Sequence, residues 1–255
     1  MAKLLMIDSH CHLENESFDL DRNLVIMRAE KRGIALITSG IEMETWEKTC
    51  GIAEAHQNVY ASIGLDPTQY GICTQALNWI RSNKDRIVSI GETGLDHYLV
   101  RDHPEREKQR QCFESMINLA MELKLPIQVH SRSAGRKALE TLTKCHASAV
   151  HLHAFDGKAS LAKEASRDLG YYFSIPTSVV RSPQKRKLVK AVTLERLLIE
   201  TDSPVLGVER NERNEPSNLP VVVHEIAQIL GRREEEIREL VLNNTMKLYS
   251  RIKYH

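Results

Sequence analysis

Short apolar runs rich in Val and Ile alternate with longer stretches in which apolar residues recur every third or fourth position. The runs are KLLMIDSH near 3–10, IALITSG at 34–40, VYASIGL at 59–65, IVSIGE at 87–92, PIQVHS at 126–131, SAVHLHA at 148–154, YYFSIP at 171–176 and RLLIETD at 196–202. Each has the length and near-continuous apolar character of a strand buried on both faces of a parallel sheet. The stretches between them read as amphipathic helices. LDRNLVIMRAEKRG stops at Gly33, EREKQRQCFESMINLAMELK is closed by Pro126, and SPQKRKLVKAV opens on a Ser-Pro cap pair. GRREEEIRELVLNNTMKLY reads as one more helix, with its charge clusters on a solvated face.

Eight strands alternating with helices in 255 residues predict an α/β fold, a (β/α)8 TIM barrel occupying 1–255 as one unit. The main rival is a doubly wound open sheet. Its phosphate fingerprint, GxGxxG after the first strand, is absent here. No linker, low-complexity tract or fixed-period repeat divides the chain.

Composition narrows the reading. Hydrophobic residues make up 42% and charged residues 27%, with a net charge of +1. No global field recruits nucleic acid or membrane, so an anionic substrate has to be gripped by local groups. LLMI before Asp8 is too short for a signal-peptide core, and no run approaches the ~18 apolar residues of a membrane span. Cys11, Cys50, Cys73, Cys112 and Cys145 are scattered with no CxxC pair, which argues against a disulfide framework and fits a reducing compartment. A cytoplasmic protein is expected, with a nuclear location open. No exposed apolar stripe stands out, so a monomer without an obligate protein partner is expected.

The chemistry gathers at strand ends. His10 and His12 close the first run, Glu92 the fourth, His130 the fifth, His153 the sixth and Asp202 the eighth. His10 and His12 are two apart, so on a strand they face one side while Cys11 faces the other. In a parallel barrel all six positions converge on the C-terminal face. One such residue is a common turn former; six on five strands at the same end predict a metal site. Imidazoles and carboxylates suit divalent ions, and six ligands exceed one tetrahedral shell, so two divalent metal ions are expected. Glu92 is the candidate bridge. Asp202 is the candidate catalytic group that takes a proton from the attacking water. His151 reads as a buried layer residue or hydrogen-bond partner of the site, and His97 near the rim stays open. His56, His103, His146, His224 and His255 fall on helices, loops or the tail.

MIDSHCHLE, SIGETGLDHY, PIQVHSRSA, HLHAFDG, IETDSPVLG and RNEPSNL occur in an order and spacing that resemble TatD-type deoxyribonucleases, part of the amidohydrolase-like group of metal-dependent barrel hydrolases. The resemblance runs from Met6 to about Tyr249. It implies a barrel with metal positions at His10, His12, Glu92, His130, His153 and Asp202, the set already reached from strand ends. It also implies zinc, magnesium or manganese as the ions, and metal-dependent hydrolysis of DNA phosphodiesters, often as a 3′-to-5′ exonuclease. Many relatives carry histidine where this chain has Asp66, and an ionised aspartate there would repel phosphate.

Arg132, two residues past His130, is the expected contact to a substrate phosphate, with Asp66 as a second pocket residue. A salt bridge from Arg132 to Asp96 or Asp156 is the alternative. Arg213 is a weaker basic candidate, and Asn214 and Glu215 are expected to shape the wall. Lys185, Arg186 and Lys187 read as solvated surface. No aromatic-and-basic stripe or major-groove helix is present, so DNA ends or another phosphate-bearing substrate would be held through phosphates. The same ligand set can also hydrolyse a small ester, lactone, cyclic amide or phosphoester.

Overall fold

Eight parallel strands follow one another around one sheet in chain order. The computed structural model describes residues 4–253; Lys3 of the first predicted strand and His255 lie outside them. The strands are β1 (Met6–Cys11), β2 (Ile34–Gly40), β3 (Val59–Ile63), β4 (Ser89–Gly94), β5 (Ile127–His130), β6 (Val150–Leu152), β7 (Tyr172–Ile175) and β8 (Leu197–Ile199). Every strand begins within one of the apolar runs. β8 is shorter than its run because Glu200, Thr201 and Asp202 turn toward β1. The Thr201 amide donates to Asp8 Oδ1 (2.8 Å), the Asp202 amide to the His10 carbonyl (3.0 Å), and the His12 amide to the Ser203 carbonyl (2.8 Å). These bonds close the sheet into a (β/α)8 barrel, and they do so at the predicted ligands.

The outer layer is built from α1 (Arg22–Lys31), α2 (Met43–Ala55), α3 (Cys73–Ser82), α4 (His103–Leu123), α5 (Gly135–Lys144), α6 (Ala159–Asp168), α7 (Pro183–Ala191), α8 (Leu219–Leu230) and α9 (Glu234–Leu248). Helix boundaries follow the expected signals. Gly33 takes φ 67° after α1, and the Ser182 hydroxyl accepts from the Lys185 amide at the start of α7. Apolar residues fill the space between sheet and helices. A second cluster joins Ile7, Ala35, Ile37, Val88 and Leu198 to Leu248, Tyr249 and Ile252. The segment that ends α9 therefore seals the floor of the barrel, leaving the opposite mouth for chemistry. No helix among the described residues is long and apolar enough to cross a membrane.

Three expectations change. Cys73 and Cys112 form a disulfide between α3 and α4, across 39 positions of sequence, while Cys11, Cys50 and Cys145 are free. Lys185 is buried, not solvated: its ammonium donates to the carbonyls of Ala154 (2.7 Å) and Phe155 (2.9 Å), tying α7 to the loop after β6. Leu24 and Met27 are exposed on α1, and Leu20 is exposed in the turn just before it. An apolar stripe does exist there, so its supposed absence no longer argues for a monomer.

Candidate metal centre

Local backbone irregularities aim the ligands. The β1–β2 register slips between Asp8 and Cys11, and the β4–β5 register slips between Ile90 and Thr93. These bulges bracket His10 and Glu92, and a bulge re-aims the side chain it carries. Gly94, at φ 146°, is required by close approach: a Cβ there would lie 2.1 Å from the His130 carbonyl oxygen. Without glycine, β4 could not press Glu92 against β5. Asp202 sits in the left-handed region at φ 55°, uncommon outside glycine, and its carboxylate turns back over β1.

The six predicted residues meet in two groups. In the first, His10 Nε2 lies 3.1 Å from His12 Nε2. Glu92 Oε2 is 3.3 Å from His10 Nε2 and 3.5 Å from His12 Nε2, and Asp202 Oδ1 is 3.5 and 3.6 Å from the same two atoms. In the second group, Glu92 Oε1 is 2.9 Å from His153 Nε2 and in contact with His130 Nδ1, which stands 3.5 Å from His153 Nε2. One carboxylate thus shows a different oxygen to each group. Cys11 points away, its thiol toward the Ile37 carbonyl.

The donor chemistry fits divalent cations. His12 Nδ1 lies 2.9 Å from the Ser39 carbonyl, which can only accept, so this nitrogen carries a proton. His10 Nδ1 lies 2.8 Å from Gln128 Oε1 and is protonated for the same reason. In their neutral forms both rings then turn Nε2 lone pairs toward each other and toward two carboxylate oxygens. Such a set of electron-rich atoms is held together by protons or by a metal ion.

The field of the site says the same. Burial opposes charge on His12, yet Asp202, Glu14 and Glu92 hold its pKa well above the ordinary imidazole value. His10 is also raised, with Glu92 overcoming burial. His130 is raised to about 10, because Glu92 and Asp96 outweigh burial. Burial takes His153 down to about 4. The surrounding histidines keep Glu92 well below, and Asp202 below, the usual carboxylate range despite burial.

Apart from His151, the supporting shell was not singled out in the sequence. Asp96 Oδ2 sits 3.1 Å from His130 Nε2 and is itself oriented by the Tyr98 and Leu99 amides. Glu14 Oε1 lies 3.2 Å from His12 Nδ1. Asp8 accepts from the Thr201 amide and hydroxyl beneath Asp202, and burial pushes its carboxyl up to about 7. Gln128 is two positions before His130, as His151 is before His153; the period-2 rule places both on the ligand face one layer down. His151 bonds to the hydroxyls of Tyr249 (2.6 Å) and Ser174 (2.6 Å), in keeping with its reading as a layer residue.

The other predicted residues divide. Arg132 is exposed, and its guanidinium lies 3.9 Å from the Tyr98 ring centroid. It makes no salt bridge among the described residues: Asp96 serves His130, and Asp156 accepts from the Ser133 amide. The Asp66 carboxylate caps the turn after β3, accepting from the Thr68 amide (2.6 Å) and hydroxyl. Arg213 pairs with Asp21, and Glu215 with Arg28. Asn214 donates to Thr177 Oγ1 and to the Thr201 and Val205 carbonyls, shaping the wall as expected. His97 is half-buried and joins no ligand group. Beside His12 a cavity of about 580 Å³ is lined by Glu14, Glu16, Glu42 and Lys48.

Comparison with known proteins adds the family and the fold. Residues 7–250 match the family described as TatD related DNase. The human protein named deoxyribonuclease TATDN3 is 39% identical, over 98% of this chain and 96% of its own length. An uncharacterized metal-dependent hydrolase of Bacillus subtilis, YabD, is 32% identical, over 96% of this chain and 99% of its own. The crystal structure of YJJV, a TatD homolog from Escherichia coli, superposes with a TM-score of 0.86 at 28% identity, covering 96% of this chain and 98% of that one.

Proposed function

Because this chain belongs to the family of TatD-related deoxyribonucleases, we propose that its strand-end centre holds two divalent cations and hydrolyses DNA phosphodiesters from a 3′ end. The observation that carries the reading is the split carboxylate of Glu92, one oxygen toward His10 and one toward His153. His10, His12 and Asp202 complete one cation site, and His130 and His153 the other. Four imidazoles favour zinc or manganese over magnesium on ligand softness. Bound there, the cations would acidify water and neutralise phosphate oxygens.

The chain's own groups do the rest. Asp202 turns Oδ1 toward His10 and His12, which leaves Oδ2 as its second acceptor. That oxygen is placed to take the proton of an attacking water and return it to the leaving oxygen. Arg132 offers its planar fork to a phosphate, with its guanidinium 3.9 Å from the Tyr98 ring centroid. The acidic cavity beside His12 repels an anionic strand on the β1–β2 side. The strand therefore lies across the β4–β5 rim, where Arg132 stands. Asp66 is engaged in its own turn, which weakens the repulsion that would favour a small neutral ester or lactone.

The test is digestion of single-stranded DNA labelled at either end, with zinc, manganese or magnesium supplied, beside a panel of lactones and small esters. Release of mononucleotides from the 3′ end, lost in Asp202→Ala, is expected. Cleavage of the ester panel with DNA left intact would overturn the nuclease reading, and loss of label from the 5′ end would overturn the polarity.

A further inference from the structure

Beneath the ligands lies a layer of buried polar side chains that hydrolysis itself does not use. We propose that the Tyr249 hydroxyl, carried by the segment after α9, is a positioning group: it locks a one-directional hydrogen-bonded arc that orients His10 in one cation group and extends toward His153 in the other. The proposal rests on the reading that these histidines hold cations.

The direction of every link can be worked out. The Ser9 carbonyl only accepts, so Gln128 turns Nε2 toward it (3.1 Å). Gln128 Oε1 is then left to accept from His10 Nδ1 (2.8 Å) and from the Ser39 hydroxyl (2.8 Å). The second hydrogen on Gln128 Nε2 goes to the Tyr249 oxygen (2.9 Å). Tyr249 cannot return its proton to a donor, so it donates to His151 Nδ1 (2.6 Å). His151 keeps its own proton on Nε2 and donates to Ser174 Oγ (2.6 Å), whose proton goes to Glu200 Oε2 (2.6 Å). Glu200 Oε1 accepts the Ala154 amide (2.8 Å). Its Oε2 stands 3.9 Å from His153 Nδ1, a buried ring nitrogen with no hydrogen bond.

Gln128, Tyr249, His151, Ser174 and Glu200 are all buried. Reversing one link would set two donors or two acceptors against each other, so the arc has one arrangement. At its His10 end it leaves Nε2 as the nitrogen that faces the cation group, which is how partners of a ligand histidine fix its tautomer and tilt. Among the described residues, the Tyr249 hydroxyl is the side-chain hydrogen-bonding group that joins the Gln128 half to the His151 half. The part of the chain that seals the barrel floor thereby reaches the centre at the barrel mouth.

Tyr249→Phe keeps the ring and removes the hydroxyl. Ser174→Ala cuts the arc on the Glu200 side. Wild type and both variants would be stripped of metal and titrated with Zn2+ against a chromophoric chelator, and the stripped proteins melted. Outer partners of metal ligands are worth about 10- to 100-fold in affinity. Tyr249→Phe should weaken zinc binding about tenfold and recover activity in excess zinc; Ser174→Ala should weaken one binding step only. Wild-type zinc affinity in both variants, or a lower melting temperature with unchanged affinity, overturns the proposal. If Tyr249→Phe does not fold, Ser174→Ala decides by the same criterion. A wild type that takes up no zinc overturns the cation reading and this proposal together, whereas zinc uptake equal in all three overturns this one alone.

Discussion

Glu92 Oε1 lies 2.9 Å from His153 Nε2, while the other oxygen of the same carboxylate faces His10 and His12. The two groups therefore share one residue, and removing its charge should empty both. Glu92→Gln keeps the shape and supplies an amide that cannot bridge two cations. If the wild type holds two ions as proposed, metal content after desalting should fall to none. Turnover should drop about a thousandfold, the several kcal/mol that paired cations supply to the transition state. Two retained ions with wild-type turnover would sink the bridging role.

Protons and cations compete for the same atoms. His130 is raised to about 10 by Glu92 and Asp96 against the opposing effect of burial, and His12 lies well above its ordinary value. Near neutral pH these rings hold protons that a cation must displace. Binding thus releases protons, and affinity must rise with pH, for His130 until that ring is neutral near pH 10. Each displaced proton gives about tenfold per pH unit. Chelator competition at pH 6, 7, 8 and 9 checks the slope; a flat line would show that the histidines are not ligands.

Arg132 stands two positions past His130 with its guanidinium over the Tyr98 ring, and it makes no salt bridge among the described residues. A charge-assisted hydrogen bond to phosphate is worth about 1.5–3 kcal/mol. Arg132→Ala should raise KM for DNA about tenfold or more and leave zinc affinity unchanged. Arg132→Lys should restore little, because an ammonium lacks the fork and the flat face on Tyr98. An unchanged KM in Arg132→Ala would move the phosphate contact elsewhere.

The six candidate ligands were legible as a cluster because each is a metal-binding type at the end of an apolar run, and a parallel barrel brings those ends together. The Gly91–Gly94 stretch around Glu92 showed only as a strand exit; the need for Gly94 becomes visible when the His130 carbonyl is seen 2.1 Å from its missing Cβ. Gln128 and Glu200 lie two positions before His130 and Asp202, a spacing that hints at a shared face and at nothing more, and Tyr249, after the last helix, has no spacing that marks a network. Lys185 was misread because a run of basic residues is usually solvated, whereas here the Ala154 and Phe155 carbonyls satisfy a buried ammonium. Asp66 looked like a pocket residue from its place after β3, but the following Thr68 offers it two donors within its own turn.

Spacing also hid the link between Cys73 and Cys112, since 39 positions apart on two helices carry no motif. Its consequence follows from chain entropy. Closing a loop of 39 residues restricts the unfolded chain by about 4 kcal/mol. For a protein of this size that corresponds to about 10 °C in melting temperature. The denatured, unreduced protein should titrate as three thiols, from Cys11, Cys50 and Cys145, and as five after reduction. Reductant should lower the melting temperature and leave metal content unchanged, because neither half of the link touches a ligand or a ligand's hydrogen-bond partner. Five thiols without reductant would show that the bond does not form in solution. A melting temperature indifferent to reductant would show that it forms without constraining the unfolded chain.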